Sequence, residues 1–188
     1  NPALLYHTGQ FQSDFPSTSE GGTVDDRFSG LIDGVNDNRS ASSWRTETTI
    51  PSKDKNPIAE RQYHYLQIDL GTKMTDLTLK MQKARSWLTV FPKTLDILAS
   101  NDINGEWITV STAMTPTWSD VQSNDALHFD SAYRYLRLVI KKNHATRIVN
   151  ADGDNYPLFL LGEIQVCANN CSTYVLDSSK NGIYPLQG

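Results

Sequence analysis

Between Leu31 and Trp44 the chain reads LIDGVNDNRSASSW, gathering Asp33, Asn36, Asp37, Asn38 and Ser40 around a turn at Gly34. Side-chain oxygens at this density have two chemical uses. They bond their own backbone in Asx- and Ser-type turns, or they converge on a hard cation that takes about six to eight oxygens. A second residue raises the same question from the other end of the chain. Glu163 sits inside the apolar run LLGEIQV, and burying an unpaired carboxylate costs several kcal/mol. It must face solvent, pair with an arginine such as Arg134 or Arg137, or find a cation.

A different chemistry is suggested by aromatic residues interleaved with polar ones on turn-rich stretches. An aromatic ring offers a platform to an apolar face of a small ligand, and a few polar side chains fix its polar groups. Three stretches have that make-up. Lys83–Pro92, KARSWLTVFP, sets Arg85 beside Trp87 and Phe91. Asn143–Phe159 contains His144, Arg147, Asn155 and Tyr156. Trp44–Glu47 places Arg45 after the oxygen-rich loop. Arg85, Trp87, Arg147, Asn155 and Tyr156 are the candidate ligand-binding residues. Competing structural roles are plain: Trp44 and Trp107 read as core, Trp87 as either a core plug or an exposed platform, and His144 as a solvated loop residue. Trp118 and His128 carry no motif.

Catalytic constellations are missing. There is no GxSxG elbow, HExxH, phosphate-cradling glycine loop or CxxC pair, and the four histidines lack metal spacing. The chain reads as a non-enzyme. Cys167 and Cys171 form a short-loop disulfide in an oxidising compartment or a free pair in a reducing one.

The elements that must position these groups are strands. YHYLQIDL (63–70), DLTLKMQ (76–82), TLDILAS (94–100), WITV (107–110), LHF (127–129) and YRYLRLVI (133–140) have the alternation or composition of strands. LFLLGEIQV (158–166) is nearly continuous apolar, as a buried strand is. The NDING turn joins an antiparallel pair. No segment sustains a helical period, so the fold class is an all-β sandwich. The 188 residues form one domain with its core in 24–166, an N-terminal extension in 1–23, and a strand pair or linker in 167–188.

A net charge of −4 and a pI near 5.5 argue against nucleic acid, which needs a concentrated basic face. They argue less strongly against anionic membranes. Only Trp87-Leu88 near Lys83 and Arg85 fits a membrane contact, and the longer apolar runs needed for insertion are missing.

The order of these pieces resembles the coagulation factor V/VIII type C, or discoidin-like, domain, and within it the family 32 carbohydrate-binding modules. The resemblance is carried by the Asp33-Gly34 loop ending at Trp44, YLQIDLG (65–71), TLDILASNDINGEWITV (94–110), YRYLRLVI (133–140) and GEIQV (162–166). The loop before Trp44 is longer than the family pattern, with Ser40 where a Thr is usual, and the 45–62 excursion is long. The resemblance implies a galactose-binding-domain-like jelly roll. It implies a non-catalytic module that binds a glycan or glycoprotein through loops at one end, with a discoidin-type adhesion or protein-interaction domain as the alternative. It also implies a structural calcium held by Asp33, Asn36, Ser40 and Glu163. Such a module is expected to be secreted or at the cell surface, as part of a larger multidomain protein.

Overall fold

The computed structural model describes residues 4–13, 28–36, 44–45, 63–85, 88–144 and 159–168, together with the backbone of 174–177 and 182–185. Its strands are β1 (Phe11–Ser13), β2 (Trp44–Arg45), β3 (Tyr65–Gln82), β4 (Pro92–Ser100), β5 (Ile108–Met114), β6 (Trp118–Ser119), β7 (Gln122–Asn143), β8 (Leu160–Leu161), β9 (Glu163–Ala168), β10 (Tyr174–Asp177) and β11 (Gly182–Pro185). Among the described residues there is no α-helix, and no helix long and apolar enough to cross a membrane. Every pairing is antiparallel.

Two strands carry the architecture. The segments 63–70 and 76–82, read as separate strands, are one 18-residue strand, and the pieces 127–129 and 133–140 are parts of one 22-residue strand. What looked like a break at Gly71 is a bend: Gly71 has φ 76°, and the β3–β7 register shifts between Asp69 and Asp76. Bulges and glycine let a strand turn a corner without leaving its ladder. The first half of β3 therefore pairs with β1 and the far half of β7, while its second half pairs with β9 and the near half of β7. β4 and β5 extend the first layer and β6 the second.

Apolar alternation on both layers points inward. Leu66, Ile68, Leu95, Ile97, Leu136, Leu138 and Ile140 from one layer meet Leu77, Leu79, Met81, Ile164 and Val166 from the other in a single core. The described part of the N-terminal stretch, residues 4–13, packs on this core. Leu5 and Phe11 are buried there, β1 adds to β3, and Leu4 N donates to Val166 O at 2.8 Å.

Trp44 is 1% exposed and meets Phe159 edge-on at 5.2 Å, as expected of a core pair. Trp107 differs from its core reading: it lies half-buried with the Arg137 guanidinium 4.0 Å from its ring centroid. The NDING turn does join an antiparallel pair, β4 and β5. Gly162 splits the final apolar run into β8 and β9, which join different partners. Cys167 is disulfide-bonded, and Cys171 lies outside the described residues. Residues 174–185 hold a strand pair, β10 with β11.

Candidate functional site

Where β3 ends and β9 begins, Gln82 lies opposite Glu163 in register, so their side chains share a face. Both are buried. The loop 31–36 closes over them. Gly34, at φ 73°, turns the chain so that the Gly34 and Val35 amides point at the Glu163 carboxylate, and Val35 N also donates to Asp33 Oδ1 at 2.8 Å. The Asp33 carboxyl shares a hydrogen bond with that of Glu163. Burial first, and the Asp33 carboxyl second, push the Glu163 carboxyl well above its ordinary range, and the two amides pull it part of the way back.

Two carboxyls this close hold a proton between them or need a cation. Several neighbouring atoms are unsatisfied: Glu163 Oε1, both amide atoms of Gln82 and Oε1 of Gln165 are buried without hydrogen-bond partners. Orphaned oxygens of this kind signal a missing water or ion. The donor set is all hard oxygen, which fits calcium by type. Among the described residues no group of three or more His, Cys, Asp or Glu comes together, so further ligands would be amide, hydroxyl or carbonyl oxygens. The arginines do not serve Glu163. Arg134 forks onto Asp69 at 2.8 and 3.0 Å, and Arg137 donates to Gln67 Oε1 at 2.9 Å.

Asn36 has another task. Fully buried, it donates through Nδ2 to Lys83 O at 2.8 Å and accepts at Oδ1 from Arg85 N at 3.2 Å. Its side chain thus pins the segment after β3.

That pinned segment leads to a second group of residues. The Lys83 ammonium sits 3.8 Å from the Phe91 centroid and 5.5 Å from that of Trp118. Phe91 meets Trp118 edge-on at 5.1 Å and stacks on His144 at 4.0 Å. Backbone bonds fix the frame: His144 N to Phe91 O at 3.1 Å, Lys83 N to Val121 O at 2.8 Å, and Trp118 Nε1 to Pro92 O at 2.8 Å. Lys83, Phe91 and Trp118 are half-buried and His144 is exposed, so the cluster forms part of the rim. Loss of hydration, then Lys93 and Lys83 nearby, hold the His144 imidazole below its ordinary pKa.

Of the sequence candidates, Asp33 and Glu163 come together, Asn36 adjoins them, and Arg85 lies half-buried in the pinned segment. Ser40, Trp87, Arg147, Asn155 and Tyr156 lie outside the described residues. Sequence reasoning missed Lys83, Trp118 and His144 as a unit with Phe91, because only the β4–β7 and β6–β7 registers bring them together.

A model of the F5/8 type C domain matches residues 15–152. The chain belongs to that family. Comparison with curated proteins found no match. Among solved structures it is similar to a family 32 carbohydrate-binding module of Clostridium perfringens in complex with GalNAc-β-1,3-galactose, at 16% identity and a TM-score of 0.54, covering 89% of this chain and 100% of that one. It is also similar to a Streptococcus pneumoniae fucose-binding module, at 12% identity and a TM-score of 0.52, covering 90% and 96%. A third is the lectin domain of lectinolysin complexed with Lewis B antigen, at 14% identity and a TM-score of 0.51, covering 86% and 93%. These likenesses establish the galactose-binding-like jelly roll.

Proposed function

We propose that this F5/8 type C domain is a non-catalytic carbohydrate-binding module that grips its glycan at the rim formed by Lys83, Phe91, Trp118 and His144. The observation carrying the reading is that cluster: two aromatic rings, an imidazole and an ammonium held together by backbone bonds at one end of a sandwich. Rings present C–H-binding faces while nitrogen donors fix hydroxyls. Support also comes from the structural relatives, whose names or complexes involve GalNAc-β-1,3-galactose, fucose and Lewis B antigen.

A structural calcium between Asp33 and Glu163 belongs to the same reading. Its support is the pair of facing carboxyls beside the unpartnered oxygens of Gln82 and Glu163. Asn36 would offer its backbone carbonyl, and Ser40 remains a candidate on family grounds. The ion would stiffen loop 31–36 and, through Asn36, the segment bearing Lys83. It takes no part in a reaction. The disulfide at Cys167 favours an oxidising setting, hence secretion or cell-surface display, within a larger protein.

A glycan array followed by calorimetric titration of each hit tests this function. Replacing Trp118 or Phe91 by Ala is expected to weaken binding about tenfold or more, in line with about 0.5–1.5 kcal/mol per aromatic contact beyond its buried area. Binding to a protein partner with no glycan on any array would favour the adhesion alternative.

A further inference from the structure

We infer that the rim around Lys83 takes a sugar residue bearing a carboxylate, so that the preferred glycan is acidic. This rests on the glycan-binding reading and narrows it to a substrate class. The first ground is Lys83 itself. Lys83 is half-buried, its ammonium lies against Phe91 and Trp118, and among the described residues no carboxylate reaches it. An ammonium part-way out of water gains most from a full negative charge. Two aromatic rings compensate it only partly.

The second ground is the company Lys83 keeps. Lys93 is exposed just beyond Phe91, and Arg85 lies in the segment that Asn36 holds in place. Neither makes a side-chain ion pair among the described residues. Lys93 and Lys83 both repel a proton from His144, so their field reaches the rim's exposed face. Among the described residues the acids nearby form no ion pair with these cations, and Asp125, beside Trp118, accepts from Thr117 N at 2.9 Å. Asp33 and Glu163 face each other under the loop, and Asp120, exposed in the turn before β7, forms no pair with Lys83.

The third ground is contrast with the whole chain. The chain as a whole is acidic, at a net charge of −4; among the described residues this rim is locally basic and floored with rings. A ring sugar can lay its C–H face on such a floor while its carboxylate reaches the ammonium groups. Nucleic acid is a poorer match, since it needs a long basic track.

Calorimetric titration of the intact chain at low ionic strength tests the inference with two acid–neutral pairs. Trigalacturonate is compared with galactotriose, and sialyllactose with lactose; the pair showing the difference identifies the source of the carboxylate. At least one acid is expected to bind about tenfold more tightly than its neutral counterpart, with the advantage shrinking in about 0.5 M salt. Lys83→Gln and, separately, the exposed Lys93→Gln are expected to lower the acid-to-neutral ratio, while thermal melts confirm that each variant folds. Equal affinity for acid and neutral partners overturns the inference and leaves glycan binding standing. No binding to any of the four sugars, or to any glycan on the array, overturns both. Binding to phosphatidylserine vesicles without binding to either acid overturns it in favour of a lipid surface, for which exposed Leu88 would be the contact.

Discussion

The two ends of this sandwich treat charge in opposite ways. At the bent end, where β3 and β7 turn their corner, charges find partners within the chain. Arg134 forks onto Asp69, His128 Nδ1 lies 2.7 Å from Asp76 Oδ1, and Asn101 bonds Ala132 O and Arg134 N. At the open end, two carboxyls face each other, and the Lys83 ammonium rests on rings with no carboxylate in reach among the described residues. On the reading proposed above, a cation would meet the facing carboxyls in its buried part and an acidic sugar the ammonium on its rim. Asn36 separates these two demands while tying them together, since one side chain borders the carboxyl pair and holds Lys83 and Arg85 by their backbones.

The comparison is sharpest under calcium. If the open end is incomplete without a cation, calcium at about a hundred times its dissociation constant adds about 2.7 kcal/mol, or about 5–10 °C in melting temperature for a chain of this size. An unchanged melt on chelation would remove the cation from the account. The effect has a definite pH sense. Because the folded Glu163 carboxyl titrates above its unfolded value, the cation-free protein gains stability as pH falls through that raised pKa, and the gain is complete below the unfolded value near 4.5. Calcium needs the ionised form. Its increment should therefore grow as pH rises through that raised pKa, shrink on acidification, and vanish at every pH in Glu163→Gln.

A smaller effect tests the tie between the two demands. Asn36→Ala leaves the part-buried Lys83 carbonyl and Arg85 amide without partners, at about 1–3 kcal/mol. Gly162→Ala should act through the same side chain, since a Cβ there would lie 2.6 Å from Asn36 Oδ1. Alone it is expected to cost about 1–3 kcal/mol by overpacking; combined with Asn36→Ala it should add almost nothing. Additive losses in denaturant melts would mean that the two residues are not coupled.

The smallest effect belongs to the bent end. Arg134→Gln removes a fork that is largely in water, where ion pairs contribute little. It should barely move the melting temperature and leave calcium response and glycan affinity unchanged. A lost calcium response in this variant would show that the two ends are not independent.

Much of this was legible in the residues. Alternation located the strands, and the five family pieces stood in order. Glu163 declared itself because a carboxylate inside LLGEIQV has few places to go. Other features were hidden for physical reasons. A bend that keeps its ladder resembles a strand end, because glycine signals both, so β3 and β7 read as halves. The long-range bonds of the Asn36 side chain were hidden because an amide in an Asp-rich turn reads the same whether it serves an ion or a backbone far along the chain. The rim was least visible: Trp118 and His144 gain meaning only beside Phe91, and that neighbourhood is a product of register. Trp107 looked like core because a tryptophan next to a strand usually packs inward; here a guanidinium covers it from outside.

The continuous run of β3 and β7 through both layers bears on how the chain folds. The layers share the same two strands, so neither can form and wait for the other. The pairs that build them join residues far apart, Asp69 with Arg134 and Gln82 with Glu163 among them. Such long-range closure makes folding slow, and the apolar faces of β3 stay uncovered until β9 has been synthesised. The meeting of Asp33 with Glu163 closes one of the longest loops, so loop 31–36 is expected to be the last part to lock during folding and the first to loosen on unfolding.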